Sequence, residues 1–248
     1  MAESTLLSRS NFLKFSSVAA AGTLLAACSS NKDSSSGSTT SSATASLPPV
    51  TNGAEALQRL KDGNSRFVTN KATCPEDTPL RRAELAEGQT PFALLLSCID
   101  SRVPPELVFD QGLGDLMVIR SGGQVLDRAV IGSLEYGVAV IKCPLLMVLG
   151  HGKCGAVDST IKSIQDNSTN EGLGDIAFLI EQIGTNIRPL VEKGGDDLLY
   201  RCIDANSKGI AADLPNRSSI IKKAVADGKL TIVAADYHLE SGKVALLT

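Results

Sequence analysis

The chain contains three short runs of apolar residues, and a polar or Gly-containing turn follows each of them. They lie in PFALLLSC at 91–98, LMVIRSGG at 116–123 and CPLLMVLGH at 143–151. A short apolar run that does not alternate with polar residues is typical of a strand covered on both faces in a parallel sheet. The pattern therefore predicts three buried strands.

Between and around these runs, apolar residues recur every three or four positions, which is the spacing of a helix with one covered face. Asn52 is a suitable N-cap for the first of these segments. Helices are predicted near residues 53–68, 81–89, 125–141, 156–166, 174–193 and 214–227.

The C-terminal segment KLTIVAADYHLESGKVALL predicts a strand, a turn around Ser241 and Gly242, and a second strand. Alternating strands and helices indicate an α/β fold with a mainly parallel central β-sheet flanked by helices. The closing hairpin adds an antiparallel C-terminal edge strand. In such sheets, functional residues gather at the carboxyl ends of the strands.

The first 28 residues have the features of an export signal. Arg9 and Lys14 precede an apolar segment, Val18 to Ala27, that is too short to span a bilayer as a mature helix. The segment LAAC, which ends at Cys28, resembles a bacterial lipobox, so we expect cleavage before Cys28 and a lipid anchor on it. An ordinary signal peptide and an N-terminal helix of the fold are the alternatives.

Residues 29–49 are rich in Ser and Thr and contain no aromatic residue, so they bury too little apolar surface to fold. We expect a disordered tether that holds a catalytic domain at residues 50–248 near the membrane, at the periplasmic or outer cell surface. The stretch SRSNFLK resembles the twin-arginine export pattern with Ser10 in place of the second arginine. The sequence therefore leaves the export route open.

Charge and cysteine content narrow the functional classes. The net charge is −3 and aromatic residues make up 4% of the chain, so no basic groove with stacking platforms for nucleic acid is expected. Five of the six cysteines lie beyond Cys28, an odd number at wide spacing, which favours metal ligation or burial. A disulfide involving Cys74 and Cys202 is the alternative for those two residues.

Cys98, His151 and Cys154 are residue types that bind zinc. Cys98 and His151 each end an apolar run, and Cys154 follows three residues later in GHGKCG. If the two strand ends meet at one sheet edge, the three side chains converge and leave a fourth zinc position open. The alternative is two buried packing cysteines and a hydrogen-bonded turn histidine. With two histidines in the chain, a single-chain site of three imidazoles is excluded.

The segments CIDSRVPPELVFDQGLGDLMVIRSGG, GSLEYGV and VLGHGKCGAV resemble the β-class carbonic anhydrases, and LQRLKDGNSRF resembles the N-terminal helix of that family. The resemblance implies a Zn²⁺ enzyme that interconverts carbon dioxide and bicarbonate by attack of zinc-bound hydroxide, built as a homodimer or higher homo-oligomer. By motif position, it implies zinc ligands at Cys98, His151 and Cys154 and a catalytic dyad of Asp100 and Arg102.

The implied dyad has a physical rationale. Two thiolates neutralise more of the Zn²⁺ charge than imidazoles do, so they should acidify the bound water less, and another group must compensate. Asp100 can accept a hydrogen bond from the nucleophile, while Arg102 keeps the carboxylate ionised and aimed. The resemblance also leaves a second role open for Asp100, as a fourth zinc ligand favoured at lower pH. That role predicts a reversible loss of activity on acidification.

The resemblance further places Gln111, Gly122 and Gly123 in the substrate pocket, with Gln111 often contributed by the partner subunit in the family. Two other functions stay open. One is hydrolysis of carbon disulfide or carbonyl sulfide on the same scaffold. The other is a non-catalytic zinc-binding lipoprotein, which needs the metal ligands but not Asp100 and Arg102.

Overall fold

A five-stranded sheet forms the centre of the molecule in the computed structural model, which describes residues 49–73 and 78–247. The strands are β1 Ala93–Cys98, β2 Leu116–Ser121, β3 Leu145–His151, β4 Thr231–Tyr237 and β5 Val244–Leu247. Their order in the sheet is β2-β1-β3-β4-β5. Strands β1 to β4 pair in parallel, and β5 pairs antiparallel with β4. The predicted α/β fold with an antiparallel C-terminal edge strand is confirmed.

Eight α-helices pack around this sheet within the described residues. They are α1 Gly53–Val68, α2 Pro79–Ala86, α3 Pro105–Val108, α4 Arg128–Tyr136, α5 Gly155–Gln165, α6 Ile176–Lys193, α7 Leu198–Arg217 and α8 Ser219–Ala226. A 3₁₀ turn, Gly122–Gln124, follows β2, and a π-helical turn, Gly137–Ile141, extends α4. None of the described helices is long and apolar enough to cross a membrane.

The start of α1 shows how local sequence sets a helix boundary. The Asn52 side chain accepts a hydrogen bond from the Glu55 backbone N–H, as predicted for an N-cap. The Glu55 carboxylate in turn accepts from the backbone N–H and the hydroxyl of Thr51, which lowers the pKa of Glu55. The two side chains thus satisfy backbone donors on both sides of the helix start.

The prediction that β2 is buried on both faces is wrong. Strand β2 pairs with β1 alone among the described strands, and five of its six residues are half-buried while Arg120 is exposed. An edge position explains the difference, because only one side of the strand is covered by a neighbouring strand. Part of the apolar surface of β2 is therefore left uncovered within a single chain.

The sequence pattern also did not predict α7. The inward face of α7 carries the buried polar residues Asn206 and Ser207, which interrupt the apolar spacing that marks a covered helix face. The helix predicted near 214–227 is instead the end of α7 and the whole of α8. Ser218 separates them with extended backbone, and its hydroxyl caps α8 by accepting from the Ile221 N–H.

Buried residues divide the core by sheet face and position the functional edge. Leu95 and Met147 pack with α1 on one face, whereas Leu94 and Val148 pack with α4, α7 and α8 on the other. A third cluster lies past the ends of β1 and β3, where α5, α6 and α7 enclose Cys98 and Cys154 with several isoleucines. The predicted ligand residues therefore lie in a closed part of the molecule.

Candidate metal centre

Adjacent strand ends bring the three predicted ligands together. Cys98 is the last residue of β1 and His151 the last of β3, and these two strands pair in parallel. Cys154 stands at the N-cap position of α5, directly after the turn that leaves β3. The ligand atoms of Cys98, His151 and Cys154 all lie within 4.8 Å of one another, and all three residues are buried. The predicted convergence is confirmed.

The imidazole of His151 is oriented by its own turn. Its Nδ1 lies 2.9 Å from the Gly152 carbonyl oxygen, which fixes Nδ1 as the donor. The other nitrogen, Nε2, is buried and has no hydrogen-bond partner among the described residues. A buried nitrogen with a free lone pair that faces two sulfurs is suited to bind a metal ion.

The two thiols affect each other's ionisation strongly. The Cys154 thiol donates a hydrogen bond to the Cys98 sulfur, which lowers the pKa of Cys98 despite its burial. The same hydrogen bond, together with burial, raises the pKa of Cys154. One negative charge is thus readily held, while a second is disfavoured by the first charge and by burial. Zn²⁺ fits this donor set, because two thiolates and one imidazole leave its fourth position open.

Asp100 and Arg102 form a tightly bonded pair beside the ligands. The Asp100 carboxylate accepts from Arg102 Nε at 2.9 Å, Nη2 at 2.7 Å and the backbone N–H at 2.9 Å. The guanidinium lowers the pKa of Asp100 to about 2. Oδ2 of Asp100 lies 3.9 Å from His151 Nε2, so a fixed negative charge stands at the edge of the metal position.

Arg120 is a part of the site that sequence reasoning missed. From β2 it donates to the carbonyl oxygen of Cys98 at 2.7 Å and to that of Asp100 at 2.6 Å. It therefore ties the loop that carries a ligand and the dyad to the neighbouring strand. The signal available in the sequence was an arginine inside an otherwise apolar run.

Of the predicted pocket residues, Gly123 contacts a metal ligand and Gln111 does not. The Gly123 N–H donates to Cys98 Sγ at 3.4 Å, and Gly122 precedes it in the buried 3₁₀ turn. Gln111 is buried instead against α1, where its side-chain amide donates to the Phe109 carbonyl at 2.6 Å. Within one chain, the structure thus brings Gly123 to the ligands and leaves Gln111 in contact with α1.

The remaining described cysteines behave as packing residues. Cys143 is buried, donates to the Pro91 carbonyl, and has a pKa raised to about 11 by burial. Cys202 is buried with a free thiol. Cys74 lies outside the described residues, and the free thiol of Cys202 does not support the alternative of a disulfide between the two.

Comparison with known proteins identifies relatives over most of the chain. The sequence profile of the family described as carbonic anhydrase matches residues 93–244. Carbonic anhydrase 2 of Mycobacterium tuberculosis is 40% identical over 201 residues, which cover 80% of this chain and 94% of that protein. Carbonic anhydrase of Mycolicibacterium smegmatis is 39% identical over 198 residues, covering 80% of this chain and 95% of that protein.

Solved structures show the same fold. The β-carbonic anhydrase CcaA superposes with a TM-score of 0.63 at 24% identity, covering 77% of this chain and 86% of that chain. A tetrameric β-carbonic anhydrase from Sordaria macrospora superposes with a TM-score of 0.61 at 21% identity, covering 75% of this chain and 93% of that chain. With two thiols and an imidazole converging at the sheet edge, and with these relatives, the chain belongs to the β-class carbonic anhydrase family.

Proposed function

We propose that the protein hydrates carbon dioxide reversibly to bicarbonate and a proton, with Zn²⁺ as its cofactor. The observation that carries this function is the convergence of Cys98, His151 and Cys154 within 4.8 Å, next to an ionised carboxylate. Zinc held there supplies a Lewis acid that makes water a nucleophile near neutral pH. The side chains of the protein then have to position that nucleophile and hold its proton.

Asp100 is suited to that positioning. Because its pKa is about 2, the carboxylate accepts hydrogen bonds and does not donate them at any physiological pH. An attacking water or hydroxide that donates to Asp100 has its remaining lone pair directed away from the carboxylate, toward carbon dioxide. Arg102 holds Asp100 through both oxygens, and Arg120 holds the main chain beneath it. Two arginines thus fix one acceptor.

The dyad also weighs against a storage function. A protein that only stores or senses zinc needs the ligands, and an arginine-paired carboxylate near the metal position adds nothing to that task. Hydrolysis of carbon disulfide or carbonyl sulfide would use the same groups, since those molecules are also linear. Turnover assays with each substrate have to decide between these molecules and carbon dioxide.

Turnover of carbon dioxide by purified, zinc-loaded protein tests the proposal directly. Asp100→Asn keeps the shape but loses the charge, so we expect zinc to stay bound and kcat to fall by about 10²-fold. Cys98→Ser removes a ligand, so we expect zinc to be lost. Stopped-flow hydration and metal analysis measure the two effects, and Cys143→Ser is the matched control, with normal activity and zinc.

Faster turnover of carbonyl sulfide than of carbon dioxide by the parent protein would favour the hydrolase instead. Full activity in Asp100→Asn would contradict the role of the carboxylate.

The thiol pair leads to a prediction for the metal-free protein. Because the Cys154 thiol stabilises the Cys98 thiolate, we expect one thiolate at pH values well below the ordinary cysteine pKa of about 8.5. Ultraviolet absorbance of thiolates during a pH titration of chelated protein measures it. Cys98→Ser should abolish the low-pH thiolate, whereas Cys143→Ser should not, since the pKa of Cys143 is about 11. A first thiolate only above that ordinary pKa would refute the coupling.

We further propose that two copies associate through β2 and α4. The outer edge of β2, which pairs with none of the described strands, adjoins a groove of about 500 Å³ between β2 and α4, lined largely by apolar atoms of Met117, Val118, Ile119 and Ala129. Tyr136 lines the groove and is 51% exposed. A second copy that pairs along β2 would cover both the strand edge and this groove.

Sedimentation of the purified domain measures this association. We expect Tyr136→Glu to shift the protein toward the monomer, because the new charge would be buried in the groove. Ile176→Glu, which alters an exposed apolar residue of α6, is the control and should sediment like the parent. A parent protein that is monomeric at all concentrations would overturn the proposal.

We also propose that the protein is exported and lipid-anchored through Cys28. The support is the sequence alone: basic residues, a short apolar segment, LAAC and a Ser-rich stretch in that order. These residues lie outside the described part of the structure.

Growth of producing cells with radiolabelled palmitate tests the anchor. We expect label in the parent protein and its recovery in the membrane fraction, with both lost in Cys28→Ser. Cys74→Ser is the matched control and should keep both. Label that persists in Cys28→Ser would show that the attachment lies elsewhere.

A further inference from the structure

A series of hydrogen bonds links α6 and α7 to the sulfur of Cys98. Asn186 Nδ2 donates to Asn206 Oδ1 at 3.0 Å, and Asn206 Nδ2 donates to the Gly123 carbonyl oxygen at 2.8 Å. The Gly123 N–H then donates to Cys98 Sγ at 3.4 Å. Asn206 is 1% exposed and the residue it holds is also buried. The buried amide of Asn206 is therefore linked to a predicted metal ligand through a single residue, Gly123.

The backbone at Gly123 explains why it needs to be held. Its φ is +60°, a region that favours glycine, and an added Cβ would lie 2.6 Å from Ile183 Cδ1. Glycine in a 3₁₀ turn has many accessible conformations, and only some of them direct its N–H at the sulfur. With the carbonyl oxygen fixed by Asn206 and the N–H bonded to Cys98, one conformation is selected.

A hydrogen bond to a thiolate ligand has a chemical effect beyond position. The donor withdraws negative charge from the sulfur, so the sulfur gives less charge to a bound cation. This matters at a centre with two thiolates, which neutralise Zn²⁺ more fully than imidazoles do. A cation that keeps more of its charge is a stronger Lewis acid.

We propose that Asn206 is a positioning residue for the metal centre: it holds Gly123 so that the Gly123 N–H donates to the Cys98 sulfur and limits the charge that this sulfur gives to zinc. The inference rests on the proposed function, since it needs zinc at the three ligands. It assigns a task to a buried polar residue of α7 that a purely packing role does not require.

Ser207 provides a matched control on the same helix. It is fully buried like Asn206, but its hydroxyl has no hydrogen-bond partner among the described residues. A change at Ser207 perturbs the packing of α7 without touching the hydrogen bonds to Gly123. Asn206→Leu, by contrast, removes the donor while keeping the same number and branching of side-chain heavy atoms.

The experiment replaces zinc by cobalt(II) in the purified enzyme and records the sulfur-to-cobalt charge-transfer absorption. In Asn206→Leu we expect these bands to move to longer wavelength, because the sulfur becomes more electron-rich. Competition with a chromophoric chelator should show zinc affinity reduced by about tenfold, because the loss of the bond that positions Gly123 and Cys98 outweighs the stronger donation by the sulfur. The pH profile of kcat/KM should move to higher pH. Ser207→Ala should leave the bands, the affinity and the profile unchanged.

Unchanged bands and affinity in a folded Asn206→Leu would overturn the inference, even if the parent protein binds zinc and hydrates carbon dioxide. A parent protein that binds no zinc would instead refute the proposed function. If Asn206→Leu does not fold, Asn206→Ala decides, because it also removes the donor to Gly123 and adds no bulk. A shift in the same direction supports the inference, and no shift refutes it.

Discussion

The mutual effect of two buried thiols is the constraint on which the centre depends. Cys98 ionises easily because Cys154 donates to its sulfur, and Cys154 resists ionisation for the same reason. A second negative charge in this closed space is costly until a cation arrives. The unpartnered Nε2 of His151 completes the donor set on the same side. A divalent metal thus compensates the charge of a second thiolate and binds the lone pair of His151 Nε2, which has no partner among the described residues.

Parallel pairing of β1 and β3 makes this arrangement predictable. Each strand is an apolar run that ends on a ligand-type residue, and adjacent parallel strands end at one edge. The identity of the ligands therefore followed from where Cys98 and His151 stand in their runs, and Cys154 followed from its distance to His151. The Asp100 and Arg102 pair was implied by the resemblance to the family, and the two residues are close enough in sequence to bond within one loop. All these features are local or are set by sheet topology.

The parts that escaped prediction depend on contacts between distant segments. Arg120 matters because β2 lies beside β1, which sets its guanidinium against the loop after Cys98. Asn206 matters because α7 crosses the ends of two strands, which brings its amide to the Gly123 carbonyl. The polar residues on the inward face of α7 also interrupt the apolar spacing by which the helix could have been predicted. In the sequence, a buried amide in a helix only interrupts the apolar spacing. Its role becomes evident once the backbone carbonyl that it satisfies is known.

Electrostatics around Asp100 bear on whether this carboxylate orients the nucleophile or closes the site. Its pKa of about 2 keeps the carboxylate charged at neutral and mildly acidic pH, so mild acid does not protonate it. Movement of Asp100 onto the metal therefore requires the loss of three hydrogen bonds from Arg102. Arg102 is itself held by the Lys153 carbonyl, one residue before Cys154. Closure would therefore have to break the bonds that Arg102 makes to Asp100 and to the turn before Cys154, and protonation of Asp100 in mild acid is not its trigger.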